Sequence, residues 1–503
     1  MTAAAPVAPS TPGSDDGGAR RLLGVPVDER RIAIGMLALV VTLSWLPAMF
    51  WSLSTDELLT SWVTSDGIGD AASRAQEFQG NSPLYFVALW AWRQLAGASP
   101  AALRLPSLLA VLAALFHLVR FGRELSGRNV GWLAVLGFLG SYNLVARGVS
   151  ARPYGLLLLG AVVSARYAWR WIHEGRARDS VVSLLSLVVC VYLTPFAVLA
   201  GVGHLVAILD ARRRARVVAL RHVLLLALGG VLACLPLLPQ LLSLAARSSS
   251  VVISNQPSFA GLVGDLVPVA VAAALGLGLL VAGGRTINRR DPALRFLLAW
   301  GLAPGLGLYL VGAIGGDALW VDRYRLAGAP GIMLAAGLLL GRLRSDGRLA
   351  AAVLLALVAF SVGANEFPWG RVGYQEALAF ADDNVEPGDD AILAMHFELI
   401  ETADPTLLDD PHWQPYLQAP VTVYGSEMPV VSLPQGQSEA GDQYVERIYP
   451  ELTSHRTVAL ITRLRPGQAD SYASLGERLE RDGYERVEDQ VRYQVSATVY
   501  RRR

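Results

Sequence analysis

The sequence predicts a polytopic α-helical membrane protein that carries a small α/β domain at its C-terminus. Of its 503 residues, 53% are hydrophobic and 17% are charged, and the mean hydropathy is +0.40. Soluble proteins are more polar than this. Apolar stretches separated by arginine-rich loops fill residues 30–366, and the sequence from 367 to 503 is polar. The net charge of +1 gives no support for binding to nucleic acid.

The N-terminal segment 1–29 is rich in Ala, Pro and Gly and lacks the basic-then-apolar order of a secretory signal peptide. We therefore expect a disordered tail there. Arg30 and Arg31 directly precede the first apolar stretch, 32–51. Because positively charged residues favour the cytoplasmic side of a membrane, the tail is predicted to be cytoplasmic.

Arginine clusters between the later apolar stretches orient the predicted spans, since loops that carry them are expected in the cytoplasm. Asp56 is expected outside and the first arginine cluster, 120–128, inside. Two apolar segments, 84–97 and 104–121, lie between them, so only one of the two can cross the membrane. Segment 84–97 is the shorter one and is rich in aromatic residues, so we predict that it lies along the outer surface. With segment 84–97 on the surface, the sequence predicts about eleven spans and an external C-terminus. The clusters are at 120–128, 170–178, 212–216, 285–290 and 342–348, and the spans after the first are 104–121, 131–147, 154–172, 179–193, 196–210, 221–242, 265–283, 293–315, 326–341 and 349–366.

The C-terminal segment 367–503 alternates between helix-like and strand-like stretches, which is typical of an α/β domain with a mostly parallel sheet. It contains no glycine-rich nucleotide-binding motif. We expect this external domain to cover the site or to contact a partner. Its predicted helices are 374–383 and 470–481, and its predicted strands are 390–394, 421–424 and 457–461.

An acidic pair, Asp56 and Glu57, directly follows the first span, within the predicted external loop 52–103. Carboxylates at a bilayer boundary are costly and usually belong to a functional site. The same residues also fit the start of a helix, because the Ser-Thr-Asp-Glu sequence at 54–57 resembles a capping box. Both interpretations stay open on the residues alone.

The outer ends of four separated segments carry carboxylates, arginines and tyrosines. An arginine at headgroup level can bind a phosphate, because its planar guanidinium donates two parallel hydrogen bonds. Each arginine taken alone could instead reach lipid phosphates, although arginines on the outer face run against the positive-inside bias. The four segments contribute Asp56 and Glu57, then Arg147, Arg152 and Tyr154, then Tyr192, and finally Arg323 and Tyr324.

The order of these motifs resembles the GT-C class of integral-membrane glycosyltransferases. It is similar in particular to the bacterial branch of the dolichyl-phosphate-mannose protein mannosyltransferase family, which includes lipid A aminoarabinose transferases. Many relatives have His-Pro-Pro where this chain has Asn-Ser-Pro at 81–83, so no role of that histidine is transferred. The resemblance covers about residues 30–366 and is carried by Asp56 and Glu57, Asn-Ser-Pro-Leu-Tyr at 81–85, Arg-Leu-Pro-Ser at 104–107, Ser-Ala-Arg-Pro-Tyr at 150–154, Tyr192, and Arg323 with Tyr324.

The resemblance implies an inverting transferase that moves a hexosyl or pentosyl group from a polyprenyl-monophosphate donor to a hydroxyl outside the bacterial cytoplasmic membrane. Its partners would be the lipid-linked sugar, the surrounding membrane lipids, and a glycan, lipid or protein acceptor. Asp56 and Glu57 would be catalytic, with Asp56 taking the proton of the hydroxyl. The negative charge on the leaving phosphate would be stabilised by Arg152 or Arg323, and a divalent cation held by Glu57 could assist them. The residues implied in binding the donor phosphate or sugar are Tyr85, Arg152, Tyr154, Arg323 and Tyr324.

Two other classes of protein could have this composition. A transporter or lipid flippase would be expected to show internal repeats and ionisable residues at the bilayer midplane, and no convincing repeat is visible in the sequence. A membrane anchor that presents the soluble domain would need fewer spans and no cluster of charges on the outer face. The sequence therefore favours the transferase.

Overall fold

The structure of the protein is a computed structural model that describes most of the chain. Two predicted spans, 265–283 and 349–366, lie outside the described residues, as do residues 1–20 and Asn81. The count of about eleven spans therefore stays a prediction, and so does the domain boundary after residue 366. The described residues are 21–22, 25–26, 29–79, 82–214, 219–246, 291–315, 322–341, 372–386, 388–435, 438–464 and 472–503.

Five helices among the described residues are long and apolar enough to cross a membrane. Large apolar side chains such as Leu224, Leu225 and Val231 are exposed on one of them, as expected for a helix surrounded by lipid. These five helices are Glu29–Met49, Pro100–Ser126, Pro195–Arg213, Leu220–Leu242 and Pro292–Gly312.

The first span contains one π-helical turn, Val41–Trp45, between the α-helical segments Glu29–Val40 and Leu46–Met49. The indole N–H of Trp45, at the end of that turn, donates to the carbonyl oxygen of Val145 at 2.9 Å. This hydrogen bond ties the C-terminal half of the first span to the segment that carries Arg147.

The predicted span 131–147 is divided into two helices, Arg128–Leu139 and Tyr142–Gly148. Gly140 and Ser141 lie between them and do not continue the helix. The second helix is only seven residues long. It places Arg147 at the start of the connection to the next span.

Glycines allow some of these helices to pack backbone against backbone. A Cβ atom at Gly122 would lie 2.2 Å from the backbone nitrogen of Gly131, so neither position has room for a larger residue. The other helices of this portion are Tyr154–Glu174, Ala177–Leu193, Gly201–Arg213, Leu220–Cys234, Leu238–Ala246, Pro292–Gly315, Asp322–Arg325 and Ala329–Leu340, with 3₁₀ turns at Pro195–Ala200, Leu235–Leu237 and Leu326–Gly328.

The described residues of the predicted external loop 52–103 form three helices, Thr55–Val63, Ile68–Glu77 and Pro83–Ala96. The third corresponds to predicted segment 84–97 and is held against the first, because Arg93 Nη1 donates to the carbonyl oxygen of Ser61 at 2.7 Å. Its location along the membrane surface stays a prediction. We call Thr55–Val63 the acidic helix, since Asp56 and Glu57 lie in its first turn.

The C-terminal domain contains a five-stranded mixed sheet. The three strands at one side pair in parallel, but the last two strands form an antiparallel hairpin, so the expectation of a mostly parallel sheet is wrong for that half. A turn at Tyr493 and Gln494, both with positive φ, closes the hairpin. In spatial order the strands are Val430–Ser432, Ala391–Met395, Thr457–Arg463, Val495–Arg502 and Tyr484–Arg492.

Helices and short turns surround this sheet. The predicted strands 390–394 and 457–461 and the predicted helices 374–383 and 470–481 are confirmed within a few residues. The helical elements of the domain are Tyr374–Asp383, Pro405–Leu408, Gln414–Leu417, Ala419–Tyr424, Glu439–Ser454 and Ala473–Arg481, with a 3₁₀ turn at Ile400–Ala403.

The predicted strand 421–424 is wrong, because these residues belong to the helix Ala419–Tyr424. The β-branched Val-Thr-Val sequence favours a strand locally. Tertiary contacts override that preference: the helix packs on the acidic helix, and the Tyr424 hydroxyl accepts a hydrogen bond from the Leu53 N–H at 2.8 Å. Gly425, at φ 84°, ends the helix.

Candidate active site

The acidic helix begins with the capping box that its sequence suggests. Ser54 lies at the N-cap, and both its N–H and its hydroxyl donate to Glu57 Oε2, at 3.0 and 2.9 Å. Carboxylates in the first turn also interact favourably with the helix dipole. Local sequence therefore accounts for the position of this helix start next to the end of the first span.

Glu57 also binds two other segments of the chain. Arg104 donates from Nε to Oε1 at 2.8 Å and from Nη2 to Oε2 at 2.6 Å, and the Ala151 N–H donates to Oε1 at 2.7 Å. Burial alone would raise the pKa of Glu57, but the charge and hydrogen bonds of Arg104 outweigh it. Together with the backbone N–H groups of Ser54 and Ala151, they lower the pKa to about 2. Glu57 is therefore a buried, ionised junction between three segments.

Arg104 also binds the C-terminal end of the first span. Its guanidinium donates to the carbonyl oxygens of Ala48, Trp51 and Ser52, at 2.5, 2.8 and 3.1 Å. Carbonyl groups at the C-terminal end of a helix have no partner within the helix, and a buried guanidinium satisfies several of them at once. The Arg-Leu-Pro-Ser motif thus fixes the segment that leads into the acidic helix.

Asp56 has a different environment, because its side chain is 40% exposed. Arg323 Nη1 lies 3.6 Å from Asp56 Oδ2, and Arg152 Nη1 donates to the Asp56 carbonyl oxygen at 3.4 Å. Burial alone would raise the pKa of the Asp56 carboxyl. Three guanidinium groups outweigh that effect and hold the pKa below its ordinary value, and they belong to Arg152, Arg323 and Arg147. We call Asp56 with these three arginines the outer cluster.

The outer cluster has an excess of positive charge. Arg104 neutralises Glu57, so Asp56 faces three arginines. The Nε atoms of Arg147 and Arg152 are buried and have no hydrogen-bond partner in the part of the chain that the structure describes, and the buried hydroxyl of Tyr85 has only Ser107 near it. Buried donors without an acceptor are costly, and donors beside excess positive charge suit an anionic ligand rich in acceptor oxygens.

Two of the predicted tyrosines lie beside these arginines. Tyr154 interacts electrostatically with both Arg152 and Arg323. The Arg323 guanidinium lies 5.5 Å from the centroid of the Tyr324 ring, which packs against Phe196 at 4.7 Å. Tyr85 also interacts electrostatically with Arg152. The structure therefore brings together Asp56, Tyr85, Arg152, Tyr154, Arg323 and Tyr324.

Tyr192 is placed elsewhere. Its hydroxyl donates to the carbonyl oxygen of Ala233 at 2.9 Å, so it is engaged with a neighbouring span rather than with the outer cluster. Phe196, four residues after Tyr192, makes the contact with Tyr324. Asn81 lies outside the described residues.

Sequence reasoning missed two residues that contact Arg152. Its Nη1 donates to the side-chain oxygen of Gln79 at 2.9 Å and to the hydroxyl of Thr60 at 3.3 Å. Gln79 in turn donates to the hydroxyl of Tyr416, in the C-terminal domain, at 3.3 Å. No local pattern connects Tyr416 with Gln79, because the two residues are 337 positions apart in the sequence.

A cation at Glu57 fits the local geometry poorly. Both carboxylate oxygens of Glu57 already accept hydrogen bonds, so an ion there would have to displace Arg104. Within the described ranges, no group of three or more His, Cys, Asp or Glu side chains could hold a metal ion. A metal role for Glu57 stays a prediction.

The architecture matches a known fold. No protein-family model and no curated protein matches the sequence. The crystal structure of ArnT from Cupriavidus metallidurans bound to undecaprenyl phosphate has a TM-score of 0.53 at 14% identity, and the match covers 94% of this chain and 98% of that chain. The apo-state structure of the same protein has a TM-score of 0.52 at 13% identity, over 93% and 98% of the two chains. The chain has the GT-C fold.

The GT-C fold confirms the expectation of a polytopic helical membrane protein with a C-terminal α/β domain. The match extends through that domain, since it covers nearly the full length of both chains. A shared fold does not by itself assign a chemistry. The reaction has to be inferred from the residues of the outer cluster.

Proposed function

We propose that this GT-C protein is an inverting glycosyltransferase. It moves a sugar from a polyprenyl-monophosphate donor to a hydroxyl acceptor on the outer side of the bacterial cytoplasmic membrane. The observation that carries the proposal is the partly exposed Asp56 carboxylate, with Arg323 at 3.6 Å and with buried arginine donors beside it that have no described acceptor. The likeness to a protein bound to undecaprenyl phosphate supports the choice of a lipid-linked donor.

Asp56 is the proposed base. Its lowered pKa keeps it ionised at neutral pH, so it can accept the proton of the acceptor hydroxyl as that oxygen attacks the anomeric carbon. The new C–O bond forms on the face opposite the phosphate, and the bond to the phosphate oxygen breaks with both electrons leaving on that oxygen. Attack from the opposite face inverts the anomeric centre.

Arg152 and Arg323 are the proposed phosphate clamp. The donor phosphate is a diester with one negative charge, and the departing polyprenyl phosphate gains a second charge as the bond breaks. Guanidinium groups already in place stabilise that developing charge without rearrangement. The hydroxyls of Tyr85, Tyr154 and Tyr324 are proposed to hydrogen-bond the phosphate or the sugar.

Glu57 is proposed to support the reaction through its neighbours. It fixes the start of the acidic helix through Ser54, and it fixes Ala151, which precedes Arg152. A buried, fully hydrogen-bonded carboxylate is a poor base. The proposed role of Glu57 is instead to fix the positions of Asp56 and Arg152 relative to each other. The sugar is a hexosyl or pentosyl group, and the acceptor is a glycan, a lipid or a protein.

The test incubates the purified full-length protein with a panel of polyprenyl-phosphate sugars and measures donor consumption and release of the polyprenyl phosphate. Asp56→Asn should reduce consumption by at least about a hundredfold, because it removes the base. Asp66→Asn is the matched control, since Asp66 lies in the same external loop and pairs with Arg74 at 2.6 Å. Parallel reactions with EDTA or added Mg²⁺ measure any need for a cation.

Two results would contradict the proposal. One is an Asp56→Asn protein that consumes donor at the wild-type rate. The other is movement of labelled donor across proteoliposome membranes with no chemical conversion, which would favour a transporter or flippase instead.

A further inference from the structure

The C-terminal domain contributes a buried tyrosine next to the outer cluster. Tyr416 lies on the short helix Gln414–Leu417, and only 3% of its surface is exposed. Its ring stacks on Phe78 with centroids 5.2 Å apart and meets the edge of Trp62 at 5.6 Å. Both partners belong to the first external loop. The loop that carries Asp56 therefore fixes the position of a side chain from the distant domain.

A directional chain of hydrogen bonds connects Tyr416 to Arg152. Arg152 Nη1 can only donate, so Gln79 presents its oxygen to it at 2.9 Å and turns its amide nitrogen to the Tyr416 hydroxyl at 3.3 Å. Since that hydroxyl accepts from Gln79, its own proton is directed to Glu401 Oε1, at 3.5 Å. The orientation of Gln79 is thus determined from both ends.

We propose that Gln79 and Tyr416 are positioning residues for Arg152, so that the C-terminal domain completes the phosphate clamp. The inference rests on the proposed function. Arg152 Nη1 is held on one side by Asp56 and Thr60 of the acidic helix and on the other by Gln79. Without the contact to Gln79, the guanidinium keeps its contacts with the acidic helix and with Tyr154 but loses the restraint on the side of the C-terminal domain, so its orientation toward a bound phosphate is less fixed.

The experiment measures binding of undecaprenyl phosphate to the full-length protein, which requires no knowledge of the sugar. Tyr416→Phe retains the ring contacts and removes only the hydroxyl. We expect it to weaken binding about five- to tenfold, and Gln79→Leu to weaken it at least as much. Because both act along one path, the double variant should bind no more weakly than Gln79→Leu alone.

A matched control separates this role from simple docking of the domain. Glu77 contacts His412 across the same interface, with its Oε1 2.7 Å from His412 Nε2, and its side chain is 49% exposed to solvent. Glu77→Gln should leave the affinity within about twofold of wild type. If Tyr416 acted only through packing of the domain, the losses of affinity in Gln79→Leu and Tyr416→Phe would add. A double variant that loses no more than Gln79→Leu alone therefore identifies Tyr416 as a positioning residue.

The outcomes are distinct. If wild-type protein binds undecaprenyl phosphate and Tyr416→Phe binds it equally well, the inference is overturned and the proposed function stands. Losses that simply add in the double variant also overturn it. If wild-type protein binds none, the lipid-phosphate donor is overturned, and this inference falls with it.

Discussion

Arg104 and Glu57 share two buried hydrogen bonds of 2.8 and 2.6 Å, although 47 residues separate them in the sequence. The pair joins the end of the first span to the acidic helix. Breaking a buried ion pair by removing one partner leaves the other charge without compensation. This relationship predicts which changes destabilise the site without touching the proposed chemistry.

Arg104→Met should lower the free energy of unfolding by about 3–5 kcal/mol, since Glu57 would remain buried without its partner. Thermal unfolding of the purified protein measures the loss. Arg123→Met on the same helix is the control, because Arg123 is exposed. Adding Glu57→Gln to Arg104→Met should restore part of the stability, and a double variant that loses the sum of both single effects would contradict the pairing.

The lowered pKa values of Asp56 and Glu57 predict the pH dependence. Their ionised forms are favoured in the folded protein, so each stabilises it above the ordinary carboxyl pKa. For Glu57 this contribution is lost as pH falls from about 4.5 to about 2. Because Asp56 stays ionised, kcat/KM should show no acidic limb from this residue between about pH 5 and pH 8. An acidic limb near pH 6 that disappears in Asp56→Asn would show that the pKa of the base is raised instead.

Tyr85→Phe should separate binding from stability. The Tyr85 hydroxyl is buried and interacts at most weakly with Ser107, so its removal should change the free energy of unfolding by less than about 1 kcal/mol. Affinity for undecaprenyl phosphate should nevertheless fall about tenfold if the hydroxyl binds phosphate. Tyr424→Phe is the opposite case, because it removes the acceptor of the Leu53 N–H and should destabilise by about 1 kcal/mol.

The orientation predicted from the arginine clusters can be tested by thiol labelling. Ser73 lies in the predicted external loop 52–103, and Ser126 lies in the first arginine cluster, 120–128, which is predicted to be cytoplasmic. Both residues are exposed. In a Cys234→Ser background, a membrane-impermeant maleimide should label Ser73→Cys in intact cells and Ser126→Cys only after lysis. The reverse pattern would place Asp56 in the cytoplasm and remove the basis of the proposed donor site.

Several elements followed directly from local sequence. The Ser-Thr-Asp-Glu sequence forms its capping box because the two partners are three residues apart. The apolar strands Ala391–Met395 and Thr457–Arg463 were predicted within two residues because continuous hydrophobic runs bounded by polar residues are typical of buried strands. The helix at 419–424 was not predictable in this way, since its conformation depends on packing against the acidic helix.

The sequence by itself determined the membrane character, the order of the motifs and the candidate residues Asp56, Arg152 and Arg323, because hydropathy, charge and residue type are local properties. Only the tertiary structure decided that Glu57 is occupied by Arg104 while Asp56 stays partly exposed, and that Tyr416 reaches Arg152 through Gln79. Two adjacent carboxylates look alike in a sequence. Their chemistry diverges because helical geometry directs Glu57 toward a buried guanidinium and leaves Asp56 partly exposed beside three arginines.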